Sequence, residues 1–232
     1  MKNKAFTLIE SMIVIFIIGM LTAIGAIGFG KVTSQKILQQ ATNRTSDSVK
    51  TNRDYSVFGK IISSQYPCGY GLALQQNAGQ IKEVYTSGSG IDRVSAMEND
   101  KSCDELVDGA EVDLGVSSET DPANLTLGKA VVEGMHRIEN GQVADAGDGP
   151  KCLVLLFSAP RGKAYSCTSS GDTCPPSKCT FEPFSEGQTA DSNLLMVSMK
   201  LLEGNATDRS CLTLFPSGNS QVVSDVINCF SQ

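Results

Sequence analysis

Histidine occurs once in the 232 residues, as His136. That scarcity leaves few routes to a paired nucleophile and base. The Walker sequence, HExxH, G-x-S-x-G and the glycine-rich dinucleotide loop are all missing as well. Catalysis is therefore not expected, and neither is a cofactor. His136, in "EGMHRIEN", reads as a surface or turn residue. Basic residues are also few, 19 Lys and Arg against 25 Asp and Glu for a formal charge of −6. A generic phosphate-binding surface needs clustered cations, so nucleic acid is not an expected partner. Two further absences are positional. No cysteine precedes Cys68, and no charge stands between Ser11 and Gly30.

The eight cysteines, Cys68, Cys103, Cys152, Cys167, Cys174, Cys179, Cys211 and Cys229, all lie beyond that uncharged stretch. An even count in the downstream part predicts disulfides and an oxidising compartment. Three fall close together in "CTSSGDTCPPSKC", but there is no C-x-x-C pair. Structural zinc sites use tighter ligand spacing, so no metal is expected. The number of cysteines leaves their connectivity open.

The chain begins "MKNKAFTLIESMIVIFIIGMLTAIG". An uncharged helix of about 20 residues, rising ~1.5 Å per residue, is long enough for a ~30 Å hydrocarbon core. Lys2 and Lys4 place the N-terminus on the cytoplasmic side, and the remainder is delivered outward, where the cysteines require it to be. An ordinary signal peptide cut near Ala23, Gly25 or Ala26 is the alternative. Against it, the apolar run exceeds the usual core of ~7 to 15 residues, and Glu10 inside that core opposes insertion. A carboxylate there needs a partner.

"KAFTLIE" followed by the apolar segment resembles the prepilin signature of type IV pilins and of the pseudopilins of type II secretion. The resemblance implies that a prepilin peptidase cuts between Ala5 and Phe6 and methylates the new Phe6 amine. Ala5 stands where glycine is commonest. It also implies that Glu10 of one subunit pairs with the Phe6 amine of another. A free amino terminus is a cation near neutral pH, and four residues of helix amount to ~6 Å of axial stagger. The implied partners are other pilin or pseudopilin subunits, an inner-membrane assembly platform, and membrane lipid before assembly. The implied location is a single-pass inner-membrane protein with an extracytoplasmic globular part, then a pilus or pseudopilus.

Past the membrane segment, Val32, Ile37, Leu38, Ala41 and Val49 continue a helical spacing to about residue 52. Ser, Thr and Asn are weak helix formers there, and Gly25, Gly28 and Gly30 soften the stretch before it. From Tyr55 onward short β-prone runs follow: "SVFGKII", "GYGLAL", "IKEVYT", "CLVLLF", "KAYSC", "NLLMVSMKLL", "CLTLF" and "QVVSDVI". "CLVLLFSAPRGKAYSC" and "CLTLFPSGNSQVV" read as hairpins. The acidic stretch between Asp92 and Asp121 reads as a solvated, partly helical loop rather than a calcium site, since it has no EF-hand spacing.

The expected fold class is α+β, a long N-terminal helix packed on antiparallel sheet. Its expected parts are a leader at 1–5, a transmembrane and assembly helix at 6–30, a helix continuation at 31–54 and a disulfide-containing β-rich domain at 55–232. The expected function is a minor or specialised type IV pilin or pseudopilin, a structural filament subunit. "FPSG" and "GYGLAL" loosely resemble minor, H-type pseudopilins. The competing readings are a membrane-anchored binding module or adhesin that does not polymerise and, third, a DNA-uptake minor pilin, for which only Arg161 and Lys163 offer local basic charge.

Overall fold

The computed structural model describes residues 8–62, 64–88, 90–117, 125–139, 142–143, 149–184, 194–202, 209–215, 217 and 219–223, with backbone alone at 24–32, 139 and 142–143. Its first element is one continuous helix, α1 (Leu8–Phe58). No proline precedes Pro67, so nothing removes a backbone donor along the way. The helix is unbroken through Gly25, Gly28 and Gly30. It stops at Gly59, whose φ of +87° suits a residue without a Cβ. Gly59 N–H donates to Tyr55 O at 2.9 Å, and the Arg93 guanidinium donates to the Tyr55 and Ser56 carbonyls. These donors take up carbonyls that a helix end leaves unmatched. "SVFGKII" is thus not a strand. It supplies the last helical turn and an irregular exit, because the helix finds its cap at Gly59 rather than near residue 52.

After α1 come β1 (Gly69–Gln75), β2 (Gln80–Ser87), α2 (Arg93–Glu98), α3 (Cys103–Val107), β3 (Glu111–Val116), β4 (Leu125–Thr126), β5 (Ala130–Glu139) and β6 (Gln142–Val143). Then follow β7 (Cys152–Ser158), β8 (Lys163–Ser169), β9 (Lys178–Thr180), β10 (Glu182–Pro183), β11 (Leu194–Leu201), β12 (Arg209–Leu214) and β13 (Ser220–Val223). They form two antiparallel sheets. One has the order β10-β8-β7-β1-β2-β3-β9, with β4 also on β2, and the other the order β13-β12-β11-β5-β6. The α+β expectation holds, with two sheets sharing one helix.

The expected hairpins are β7–β8, with Leu155 opposite Ser166, and β12–β13, with Leu212 opposite Val222. The first turns through Ala159 to Gly162, where Gly162 N–H donates to Ser158 O at 2.8 Å. β7, "CLVLLFS", is buried at every position. Leu153, Leu155 and Phe157 face a core shared with α1 and the five-stranded sheet, and Cys152, Val154 and Leu156 face a second core on the other side. Burial on both faces is why this run shows no alternation. Beside it, Gly71 permits β1 to approach, since a Cβ there would stand 1.9 Å from Leu155 O.

The acidic stretch is partly helical, as its composition suggests. Asp92 caps α2, and Ser102 with Glu105 forms a capping box on α3. His136 lies in strand β5 rather than in a turn, and is half-buried. Three disulfides are described: Cys68–Cys103, Cys152–Cys174 and Cys167–Cys179. Cys211 is also disulfide-bonded. Cys229 lies outside the described residues. Peptide mapping without reductant is expected to recover Cys211 crosslinked to Cys229, the one half-cystine left over from the described pairs. Recovery of Cys211 joined to any other cysteine contradicts that pairing.

Glu83 on β2 is 1% exposed. Both its oxygens accept from Lys60 Nζ at 3.1 Å, and one accepts from Ser117 Oγ at 2.8 Å. The segment leaving α1 is thereby tied to the eight-stranded sheet. Removing one partner of a buried pair strands the other charge. Glu83→Ala is expected to cost about 3 kcal/mol in urea unfolding, and Lys60→Met with Glu83→Leu to recover much of it. A single variant as stable as wild type contradicts this role.

Candidate functional site

The two ends of α1 meet different surroundings. From Leu8 to Ala23 every side chain is exposed. Among them are eleven large apolar residues, from Val14 at 47% to Leu8 at 80%. They occupy consecutive positions such as Ile13, Val14, Ile15, Phe16, Ile17 and Ile18, so they surround the helix rather than forming a stripe. A helix apolar on all sides is stable only inside apolar cover. An exposed surface of this kind far exceeds what a soluble monomer ordinarily presents. Glu10 stands in its first turn and is exposed. Ala5 and Phe6, the expected processing and assembly residues, lie outside the described residues. Among the described residues, no helix is long and apolar enough to cross a membrane. The described side chains of the apolar stretch cover 8–23, ~24 Å of helix.

The distal half is moored in the head. Leu38, Ala41 and Val49 enter the core between the two sheets. Between them runs a buried polar stripe of Thr42, Thr45, Ser46, Asn52 and Ser56. The hydroxyls of this stripe are hydrogen-bonded, whereas Asn52 Oδ1 is buried without a partner. Thr42 Oγ1 donates to Leu38 O at 2.8 Å and reaches Ser210 Oγ on β12 at 2.9 Å. Thr45 Oγ1 donates to Ala41 O at 3.0 Å, and Asn52 Nδ2 to Ser48 O at 3.0 Å. Ser46 shares a 2.6 Å hydrogen bond with Ser220 on β13, and Arg53 Nη1 donates to Asn219 Oδ1 at 3.1 Å. Small hydroxyls that bond back to the preceding turn can be buried with their hydrogen bonds made. Their size also lets the helix lie close to the strands.

Residues that sequence reading took only as weak helix formers are therefore the mooring points. The available signal was their periodicity, hydroxyls at 42, 45, 46 and 56 around the apolar 38, 41 and 49. Arg93, which caps the helix across the chain, carried no sequence signal at all. The described cysteines serve the head, not the apolar half. Cys68–Cys103 joins the start of β1 to α3, Cys152–Cys174 fastens the segment after β8 to β7, and Cys167–Cys179 joins β8 to β9. No group of metal-ligating side chains occurs among the described residues.

The family model for the prokaryotic N-terminal methylation motif matches residues 1–26. The chain carries the type IV pilin and pseudopilin signature at its N-terminus. No curated protein and no solved structure matches the chain.

Asp92 places its carboxylate on the first N–H groups of α2, the helix that begins with Arg93. It accepts from Ser95 N and Val94 N at 2.9 Å, and from Ser95 Oγ at 2.8 Å. The Ser95 backbone bond is the main cause holding its carboxyl below the ordinary 3.8. A lowered value favours the folded state above the unfolded value, and that advantage fades as pH falls through the folded one. Asp92→Asn keeps a capping acceptor without the charge. Its thermal unfolding is expected to be less acid-sensitive than wild type as pH falls below about 5. Superimposable acid limbs contradict the assignment.

Proposed function

We propose, for a chain that opens with the N-terminal methylation motif of type IV pilins and pseudopilins, that it is a minor or specialised structural subunit of an extracytoplasmic filament. The observation that carries this reading is the division of α1, moored through its distal half and apolar on all sides through its proximal half. A soluble head with such an extension needs lipid at first and neighbouring helices later. Before assembly the proximal half spans the inner membrane with the N-terminus in the cytoplasm. The disulfide-bonded head lies outside, where thiols oxidise. A prepilin peptidase removes Met1–Ala5 and methylates Phe6. The work of the protein is structural rather than catalytic, and no cofactor takes part.

Glu10 sets the register. Leader removal creates a cation at Phe6, four residues or ~6 Å of helix from Glu10. A neighbour shifted by that distance brings its amine to this carboxylate. In an apolar surrounding the pair favours one stagger, because other staggers leave both charges without a counter-charge. Removing the carboxylate makes the proximal half more apolar, so insertion survives while register is lost.

In a host that assembles such filaments, Glu10→Leu is expected to be processed normally and to enter sheared filaments at least about tenfold less than wild type, the equivalent of ~1.4 kcal/mol. Its level is normalised to processed protein in the membrane. Equal incorporation removes the register mechanism. Failure of wild-type protein to appear in filaments favours an anchored module or adhesin that does not polymerise.

A further inference from the structure

The seam between the two sheets opens into a cleft of about 340 Å³. Met135 on β5 and Leu195 on β11 underlie it and are themselves buried in the core. The walls are polar and come from both sheets. Arg137 on β5 points its guanidinium at the opposite sheet, with Nη2 3.6 Å from Glu182 Oε2 on β10 and 3.5 Å from Ser166 Oγ on β8. Ser166 and Glu182 are register partners. Thr168 and Thr180 complete the wall, each directly following one half of the Cys167–Cys179 bridge. His136 borders the cleft as well.

The charges of this lining select its ligand. Arg137 and Glu182 carry opposite charges and already face each other. A ligand of either charge meets one like charge of this pair. A neutral polyhydroxylated molecule accepts from the guanidinium, donates to the carboxylate and exchanges hydrogen bonds with the threonines, while the ion pair stays intact. The volume lies at the low end for small-molecule sites, ~300 to 1,000 Å³, which suits one or two rings. The disulfide holds β8 and β9 together beside both threonines, so their placement is fixed before a ligand arrives.

We propose that this seam cleft binds a neutral saccharide of one or two rings, recognised by Arg137, Glu182, Thr168 and Thr180. The proposal stands whether or not the chain polymerises.

The test is calorimetric titration of the full chain in a detergent without a sugar headgroup. The probes are glucose, galactose, mannose, N-acetylglucosamine, lactose and maltose, with acetate and phosphate as anion controls. At least one sugar is expected to bind saturably with Kd of about 1 mM or tighter. Thr168→Val with Thr180→Val is expected to weaken it about tenfold while leaving the unfolding temperature unchanged, since both threonines are exposed. Arg137→Met is expected to weaken it at least as much; if that variant does not fold, the threonine pair decides. Absence of saturable binding by any sugar at about 50 mM overturns the proposal. So does preferential binding of acetate or phosphate, or sugar binding that the threonine pair does not alter.

Discussion

The burial of one face of α1 between two sheets is the contact on which the rest of the molecule depends. Leu38, Ala41 and Val49 join a core that also contains Leu72, Leu155, Val197 and Leu212, so strands of both sheets close on the same helix. Without it, the inner faces of β1, β7, β11 and β12 would lose their common cover. Sheets with one apolar face require such a layer. The hydroxyl stripe makes the contact directional as well as apolar. Thr42 meets Ser210 and Ser46 meets Ser220, which sets the rotation and the height of the helix against β12 and β13.

From that mooring the contrast along α1 follows. Its distal end is held by Gly59 and Arg93, and the exit from it by the Lys60–Glu83 pair. Its proximal end projects free of the described head contacts, with Leu8 to Leu21 exposed. One rigid element therefore serves as the core of the head and as its attachment to whatever surrounds the apolar half. The disulfides act on the side away from α1. Cys152–Cys174 and Cys167–Cys179 fasten the second core over β7, stiffening the segment that carries the seam cleft.

What was legible in the sequence follows from how local each signal is. The N-terminal motif lies within 26 residues and was readable in full. β7, β11 and β12 were readable because their apolar runs exceed what a surface strand needs. β5 was not, because Glu133, Gly134, His136 and Arg137 interrupt its apolar run, and its burial depends on β11 across the sheet. The last turn of α1 extends past residue 52 because it closes at Gly59, with Arg93 from far along the chain on its final carbonyls. Disulfide pairing depends on the arrangement of β7, β8 and β9 in space. The seam cleft was beyond reach for the same reason. Its walls come from residues near 135, 166 and 180 that no spacing rule connects.

The central claim is that the proximal half of α1 is an apolar surface covered by neighbouring subunits. The most direct measurement places a photoreactive phenylalanine analogue at Phe16, 66% exposed in the single chain. The full-length protein is then illuminated in membranes and in sheared filaments. The account predicts subunit-to-subunit crosslinks within the apolar helices in filaments, replaced largely by lipid adducts in membranes. Crosslinks from Phe16 to the chain's own β-sheet head in both settings would contradict it.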